Sequence, residues 1–468
     1  MTRSRILVRG GHVVTVDDDL GVIPDGEVLV EDGIIVAVGQ DLGVTDAEIV
    51  HANGGIIAPG TVDTHRHTWQ AQLRGVATKI SLQEYINGFW VDSVPSYTAE
   101  DVHLGTLVGA LEALDAGVTS VFDYSHVNNS PEHANAGVDA LEEAGIRAVF
   151  GYSFGQAEIF APPYFDRIAD FARLAKERFQ APGLVTLGAA LSEIGLAPIS
   201  FNAAQKRIAD EHGAVSSCHI ATGQAFPPGL RELAAAGALD ERLILVHATT
   251  LTEEDWKIAG DAGVKLSTTP ESELNMGMGR IAIAQAIKHG VKPTIGADVV
   301  SLGGGDIFSQ LRIALSFARW NDAEPTLLQG RDIYGLTINP EDALRWGTIN
   351  GAEALGLGSK TGSLTPGKQA DIIVVGGQRV GTTPVNDPIG QLVLQTYPGG
   401  IDTVIVGGRI VKRDGRLIDV NLPSLLRQLE ESSVRVQERI AERLTNKPPL
   451  TQEQIDQFPG FVAYNLAS

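Results

Sequence analysis

Two histidines at i and i+2, His65 and His67, end the stretch Pro59-Gly-Thr-Val-Asp-Thr-His-Arg-His67. At strand periodicity both imidazoles point the same way, because alternate side chains share a face. Two neutral imidazoles on one face at a strand end can grip a transition metal without help from the backbone. Spacing alone does not decide the matter, since such a pair also occurs on ordinary strand surfaces. The later chain adds His219, His247 and Asp298, each just after a short apolar run. Polar side chains are costly to bury there without a partner, and one shared cation would partner them all.

Those runs belong to a regular series. Candidate strands are 60–64, 119–124, 147–152, 184–191, 214–218, 243–246, 264–268 and 293–297. Helical stretches at 99–116, 138–144, 165–178, 203–211, 229–236 and 253–262 lie between them. Eight strands with helices after them is the count for an α/β protein built on a (β/α)8 barrel. In that series His65 and His67 follow the first strand, His219 the fifth, His247 the sixth and Asp298 the eighth. All sit at C-terminal strand ends, the face where barrel active sites assemble. His126, after the second strand, lies at the same face and is a candidate substrate contact. His12, His51, His103, His133, His212 and His289 fall in outlying strands, turns or helices and read as ordinary.

Short strand patterns at 6–11, 12–16, 27–30 and 33–39 return in style at 371–377 and 403–411. One small β domain made from both ends of the chain follows. The expected organisation is 1–58 plus 362–420 as a β-sandwich, 59–361 as the barrel and 421–468 as a helical extension. Residues 424–443 have charged helical spacing, and short segments at 454–458 and 461–467 finish the chain.

The 36 basic against 57 acidic residues leave a net charge of −21. That argues against nucleic acid or an anionic membrane as partner, since both demand basic surface. A single cysteine, Cys218, excludes an internal disulfide and fits a reducing cytoplasm. It alternates with His219 and so faces away from the metal side, as packing. No apolar run approaches membrane-spanning length. A soluble, cytoplasmic protein acting on a small molecule is the expectation.

Together, the stretch ending at His67, the later single histidines and Ile295-Gly-Ala-Asp298 resemble the amidohydrolase superfamily. Gly362-Ser-Leu-Thr-Pro-Gly-Lys-Gln-Ala-Asp-Ile-Ile-Val-Val375 is similar to the segment that returns such chains to their β-sandwich. Within the superfamily the resemblance is to the cytosine-deaminase and triazine-hydrolase branch, which hydrolyses amino, chloro or amide substituents on planar heterocycles. It implies a distorted (β/α)8 barrel, with one divalent ion held by His65, His67, His219 and Asp298. Zinc is the first choice for that ion, and iron, cobalt or manganese also suit the donor set. Such an ion lowers the pKa of its water toward ~7. Asp298 can accept the water's proton, and His247 can contact the water or donate to the atom that gains negative charge. The resemblance also implies a homodimer or homotetramer.

This chain departs from that branch in three places. Binuclear members carry a carboxylated lysine at the end of strand four; here the strand reads Thr186-Leu-Gly-Ala-Ala-Leu-Ser-Glu193, which favours one ion and leaves Glu193 as a conceivable bridging carboxylate. Deaminases of the branch carry His-x-x-Glu after strand five, whereas this chain has His219-Ile-Ala-Thr222. A threonine hydroxyl can hydrogen-bond substrate but cannot shuttle a proton as a carboxylic acid does. After strand seven, Pro270-Glu-Ser-Glu273 stands in place of Pro-x-Ser-Asn, so Glu271 is a candidate replacement shuttle or a carboxylate favoured at a helix start. Trp69, Gln70, Arg74, Trp90, Tyr124 and Tyr152 are candidates for an aromatic substrate wall or for rim packing.

The leading expectation is a metal-dependent hydrolase that uses activated water on a C–N or related bond. Carbamates, thiocarbamates, ureas and amides of small planar or apolar molecules are the substrates in view. Alternatives are a deaminase or dehalogenase of an aminated heterocycle, and lyase or isomerase chemistry on the same site. A non-catalytic assembly protein predicts damaged ligands, and all four ligand candidates are present.

Overall fold

In the computed structural model, which describes residues 4–155, 166–195, 197–223 and 229–446, eight parallel strands hydrogen-bond in sequential order. They are β1 (Thr61–Arg66), β2 (Val118–Ser125), β3 (Arg147–Ser153), β4 (Val185–Ala190), β5 (Val215–Ile220), β6 (Leu243–His247), β7 (Lys265–Thr268) and β8 (Lys292–Ile295). Each strand read from the sequence is present, with ends shifted by no more than two residues. Helices follow them in turn, from Ala99–Asp115 after β1 to Ile307–Leu327 after β8. Thr98 and Thr252 cap two of these helices with the side-chain and backbone exchange of a capping box. Gly145 and Gly263 end the helices before β3 and β7 at φ +73° and +71°, a left-handed turn that costs glycine nothing.

The ring is distorted at its seam. Among the described residues, β1 and β8 meet through a bridge between Arg66 and Asp298, beyond the end of β8. Thr64 Oγ1 also reaches Thr294 Oγ1 at 2.7 Å. Lower down, helix Ile349–Ala354 packs against the seam, and Gly351 permits it: a Cβ there would lie 2.8 Å from Val62. Val62, Phe122, Tyr124, Val149 and Ile244 fill the interior together with Ala352 and Leu355. The barrel is a packed core with one open mouth, as its class requires.

Both ends of the chain build the second sheet. Arg5–Val14, Val22–Glu31, Ile34–Gly39, Glu48–His51 and Ile56–Pro59 join Ile372–Val375, Ile401–Val406, Arg409–Arg413 and Arg416–Leu417 in nine strands. The junction is Ile56–Pro59, paired antiparallel with Ile372–Val375. The two strands expected over 6–16 are one, Arg5–Val14, with register shifts around Gly11. The glycines that read as a turn form a bulge. A buried bidentate pair, Arg147 Nε and Nη2 each 2.8 Å from Asp371, ties β3 to this sheet.

Helix Leu422–Thr445 crosses back over the long connection that follows β1. Ser433 Oγ donates to the Gln72 carbonyl at 2.6 Å, and Ser432 Oγ to Asp101 at 2.7 Å. Arg439 reaches the Ser96 carbonyl at 2.6 Å and pairs with Asp101. The segments expected at 454–458 and 461–467 lie outside the described residues. Among the described residues, no helix is long and apolar enough to cross a membrane.

Candidate active site

Strand ends bring four side chains to a point at the mouth. His65 Nε2 lies 3.2 Å from Asp298 Oδ1 and 3.2 Å from His219 Nε2, while His67 Nε2 is 3.4 Å from the same Asp298 oxygen. The far nitrogens of two rings are engaged elsewhere. His67 Nδ1 donates to the Tyr124 carbonyl at 2.9 Å, and His219 Nδ1 to Glu193 at 2.8 Å. Those bonds fix the tautomer, so Nε2 of each ring turns a lone pair inward. Burial pushes the His65 pKa well down and keeps that ring neutral. Three imidazoles and a carboxylate converging in this way fit a divalent zinc, iron, cobalt or manganese ion. His65, His67 and His219 form one potential ligand set, and His65, His247 and Asp298 an overlapping one.

The backbone is bent to achieve this. Asp298 has φ +62° and His247 φ +66°, left-handed values for residues that carry a Cβ. Such positions cost ~1–3 kcal/mol each and persist only where the surroundings over-determine them. Here the Asp298 N–H donates to the His65 carbonyl at 2.9 Å, and the His67 N–H to the Asp298 carbonyl at 2.9 Å. Asp63, pushed up to about 6 by burial against the pull of Arg66, accepts the Ala297 N–H and clamps the same seam. Burial also opposes ionisation of Asp298, yet its contacts with His65 and His67 hold it well below the usual carboxylate range.

Glu193 lies between two rings. It accepts from His219 Nδ1 and stands 3.3 Å from His126 Nε2. Burial would raise its pKa, but the His219 and His126 contacts bring it down and keep the carboxylate ionised. His126 stacks on His67 at 4.5 Å, and burial pushes its pKa down to about 3. His126, Glu193 and His219 form a third potential ligand set, which bears on the bridging role considered for Glu193.

Above these groups opens a cavity with about 610 Å3 of atom-free space, open solvent at its mouth included. Its wall is apolar: Leu82, Ile86 and Trp90 from the connection after β1, Ile194, and the pair Met276 and Met278. No lysine or arginine is among the described residues that line it. Tyr85 and Thr222 also line it, the Thr222 hydroxyl lying 3.4 Å from the Ile220 carbonyl. Tyr85 and Trp90 are presented by a π-helical turn, Tyr85–Trp90, started by a Ser81 capping box. Behind the wall Val436 of the C-terminal helix packs in the same apolar cluster as Tyr85, Trp90, Met276 and Met278.

The expected substrate contacts divide. His126 and Thr222 line the cavity. Gln70 lies one layer back, donating through Nε2 to the Tyr85 hydroxyl at 2.6 Å and accepting from Ser301. Tyr124 lies under the imidazoles as part of the barrel core, with its hydroxyl on the Leu191 carbonyl at 2.6 Å. Trp69 is fully buried against Tyr97, and Arg74 pairs with Glu112, so neither is among the lining residues. Tyr152 faces the helix layer, bonded to Asp170 and packed on Phe171, because strand alternation turns it outward.

Glu271 lies apart from the cavity lining. It accepts from the Gly304 N–H and from Gln310 Nε2, both at 3.0 Å, and is absent from the described lining. Two residues along the same helix Glu273 points inward to His247. A step of two residues turns about 200° around a helix axis, so one carboxylate must face out when the other faces in. Cys218 packs outside the barrel with the helices, as its alternation with His219 requires.

A barrel whose strand ends assemble imidazoles and an aspartate around one point defines the class of metal-dependent hydrolases. The chain belongs to the Amidohydrolase family, whose profile matches residues 56–411. It is 25% identical to a 5'-deoxyadenosine deaminase of Methanosarcina mazei, over 93% of this chain and 99% of the relative. An adenosine deaminase from Xanthomonas campestris with bound zinc superposes with a TM-score of 0.82 at 24% identity, covering 93% of this chain and 99% of that one. Atrazine chlorohydrolase from Arthrobacter aurescens, complexed with zinc, gives 0.79 at 22% identity, covering 92% and 100%.

Proposed function

We propose that the protein holds one zinc ion on His65, His67, His219 and Asp298 and hydrolyses a small, neutral, apolar carbamate, thiocarbamate, urea or amide. The observation that carries the substrate class is the wall itself. Leu82, Ile86, Trp90, Met276 and Met278 offer apolar contact, and no described cationic side chain is there to anchor a phosphate or carboxylate. Thr222 supports the same reading, because its hydroxyl cannot deliver a proton to a ring nitrogen as a carboxylic acid would.

When bound, the ion supplies Lewis acidity and a water acidified toward neutral pH. The chain's residues do the rest. Asp298 accepts the proton of the attacking water, Glu193 holds His219 by its Nδ1–H, and the wall excludes bulk water from the reacting bond. Tyr85 and His126 contact the substrate's polar end.

A second reading, deamination of an adenosine-type compound, rests on the named activity of the 25% identical relative. Zinc-loaded protein offered N,N-dialkyl carbamates, thiocarbamates and ureas in heavy-oxygen water tests one against the other. The expected result is amine or thiol release with the label in the acyl product, and little ammonia from 5'-deoxyadenosine. Preferential ammonia release from the nucleoside would overturn the apolar-substrate reading.

A further inference from the structure

Helix Pro270–Asn275 turns one carboxylate into the protein, and nothing so far gives it work. Glu273 is 0% exposed. Its Oε2 accepts the Thr268 hydroxyl at 2.7 Å, and its Oε1 the Thr269 N–H at 2.8 Å. That same Oε1 lies 3.4 Å from His247 Nδ1, and Thr269 Oγ1 lies 3.0 Å from it. A carboxylate already receiving two donors is an acceptor toward a third group.

His247 also lines the cavity, with one ring nitrogen within ligand reach of His65 and Asp298; with Nδ1 turned to Glu273 and Thr269, Nε2 is the nitrogen left for the cavity. Its backbone cannot hold the ring at low cost, since His247 and Ala248 are consecutive left-handed residues at φ +66° and +52°. We propose that Glu273 is a positioning residue that fixes His247 as its Nδ1–H tautomer, so that Nε2 meets the cavity as an acceptor. The donor role expected for His247 is thereby reversed. The competing arrangement has the Thr269 hydroxyl donating to Nδ1, with the proton on Nε2 pointing at substrate.

The two arrangements are separated by nitrogen-15 spectra of histidine-labelled protein, zinc-loaded and zinc-free, with His247→Gln assigning the signal. The expected wild-type spectrum has the His247 proton on Nδ1. In Glu273→Met, which removes the acceptor at similar volume, the proton moves to Nε2 while bound zinc stays at the wild-type amount. Turnover of any compound the wild type hydrolyses drops roughly 10–100-fold, the range for outer-sphere partners. A wild-type proton on Nε2, or an unchanged tautomer in Glu273→Met, overturns the proposal. Should that variant fail to fold, the wild-type spectrum decides alone. The tautomer is read without substrate, so it stands or falls apart from the hydrolase reading.

Discussion

The floor and the wall of the cavity are built by different means. The floor is made of strand ends: His65 from β1 and His67 just beyond it, His219 from β5, His247 from β6 and Asp298 just beyond β8. His67 and His219 are held by bonds at their backs, to Tyr124 and Glu193, His247 lies against Glu273 and Thr269, and the backbones of His65, His67 and Asp298 pair at the seam. The wall comes from connections: Leu82, Tyr85, Ile86 and Trp90, Ile194, and the Met276 and Met278 turn, with Val436 of the C-terminal helix in the same apolar cluster. The difference teaches a division of labour. Under the proposed function, strand ends held by their neighbours set the chemistry, and connections that pack on one another set what enters.

Substitutions that act on one region and spare the other sharpen that contrast. His219→Ala, in the floor, should have the largest effect: bound metal and turnover disappear together, beyond the ~100-fold typical of an outer-sphere partner. Metal analysis beside a rate assay checks it, and a variant that keeps full metal would break the floor's assignment. Trp90→Ala, in the wall, should leave metal content unchanged and raise KM by ~10–100-fold, equivalent to the ~1.5–3 kcal/mol of a buried apolar side chain. A loss of metal in that variant would mean the two regions are not separable. Glu271→Gln should have the smallest effect. Its carboxylate serves the Gly304 turn and Gln310, so turnover should stay within ~2-fold of wild type, as for most substitutions away from core or site features. A large fall in kcat would restore Glu271 as a proton shuttle.

The floor could be read in the sequence because strand alternation is local. His65 and His67 share a face by parity, and the same parity sends Cys218 outward while His219 faces in. Applied to β3, it also sends Tyr152 outward. The choice of Glu271 over Glu273 depended on helix phase in a helix of six residues, too short to show a periodic pattern. The wall was less legible. Trp90 was in view as a wall residue, but Tyr85, Leu82, Ile86 and the methionines owe their places to a π-helical turn and to contacts across the chain. The C-terminal helix carries a clear helical signal, but no local pattern tells that Val436 joins the apolar cluster of Tyr85 and Trp90.

The most direct test is a count of tightly bound divalent metal in wild-type protein purified without chelator, followed by chelation and reloading. The account predicts about one equivalent per chain, loss of hydrolysis on removal and recovery on adding zinc. Well under one equivalent, or hydrolysis that survives removal, would contradict it.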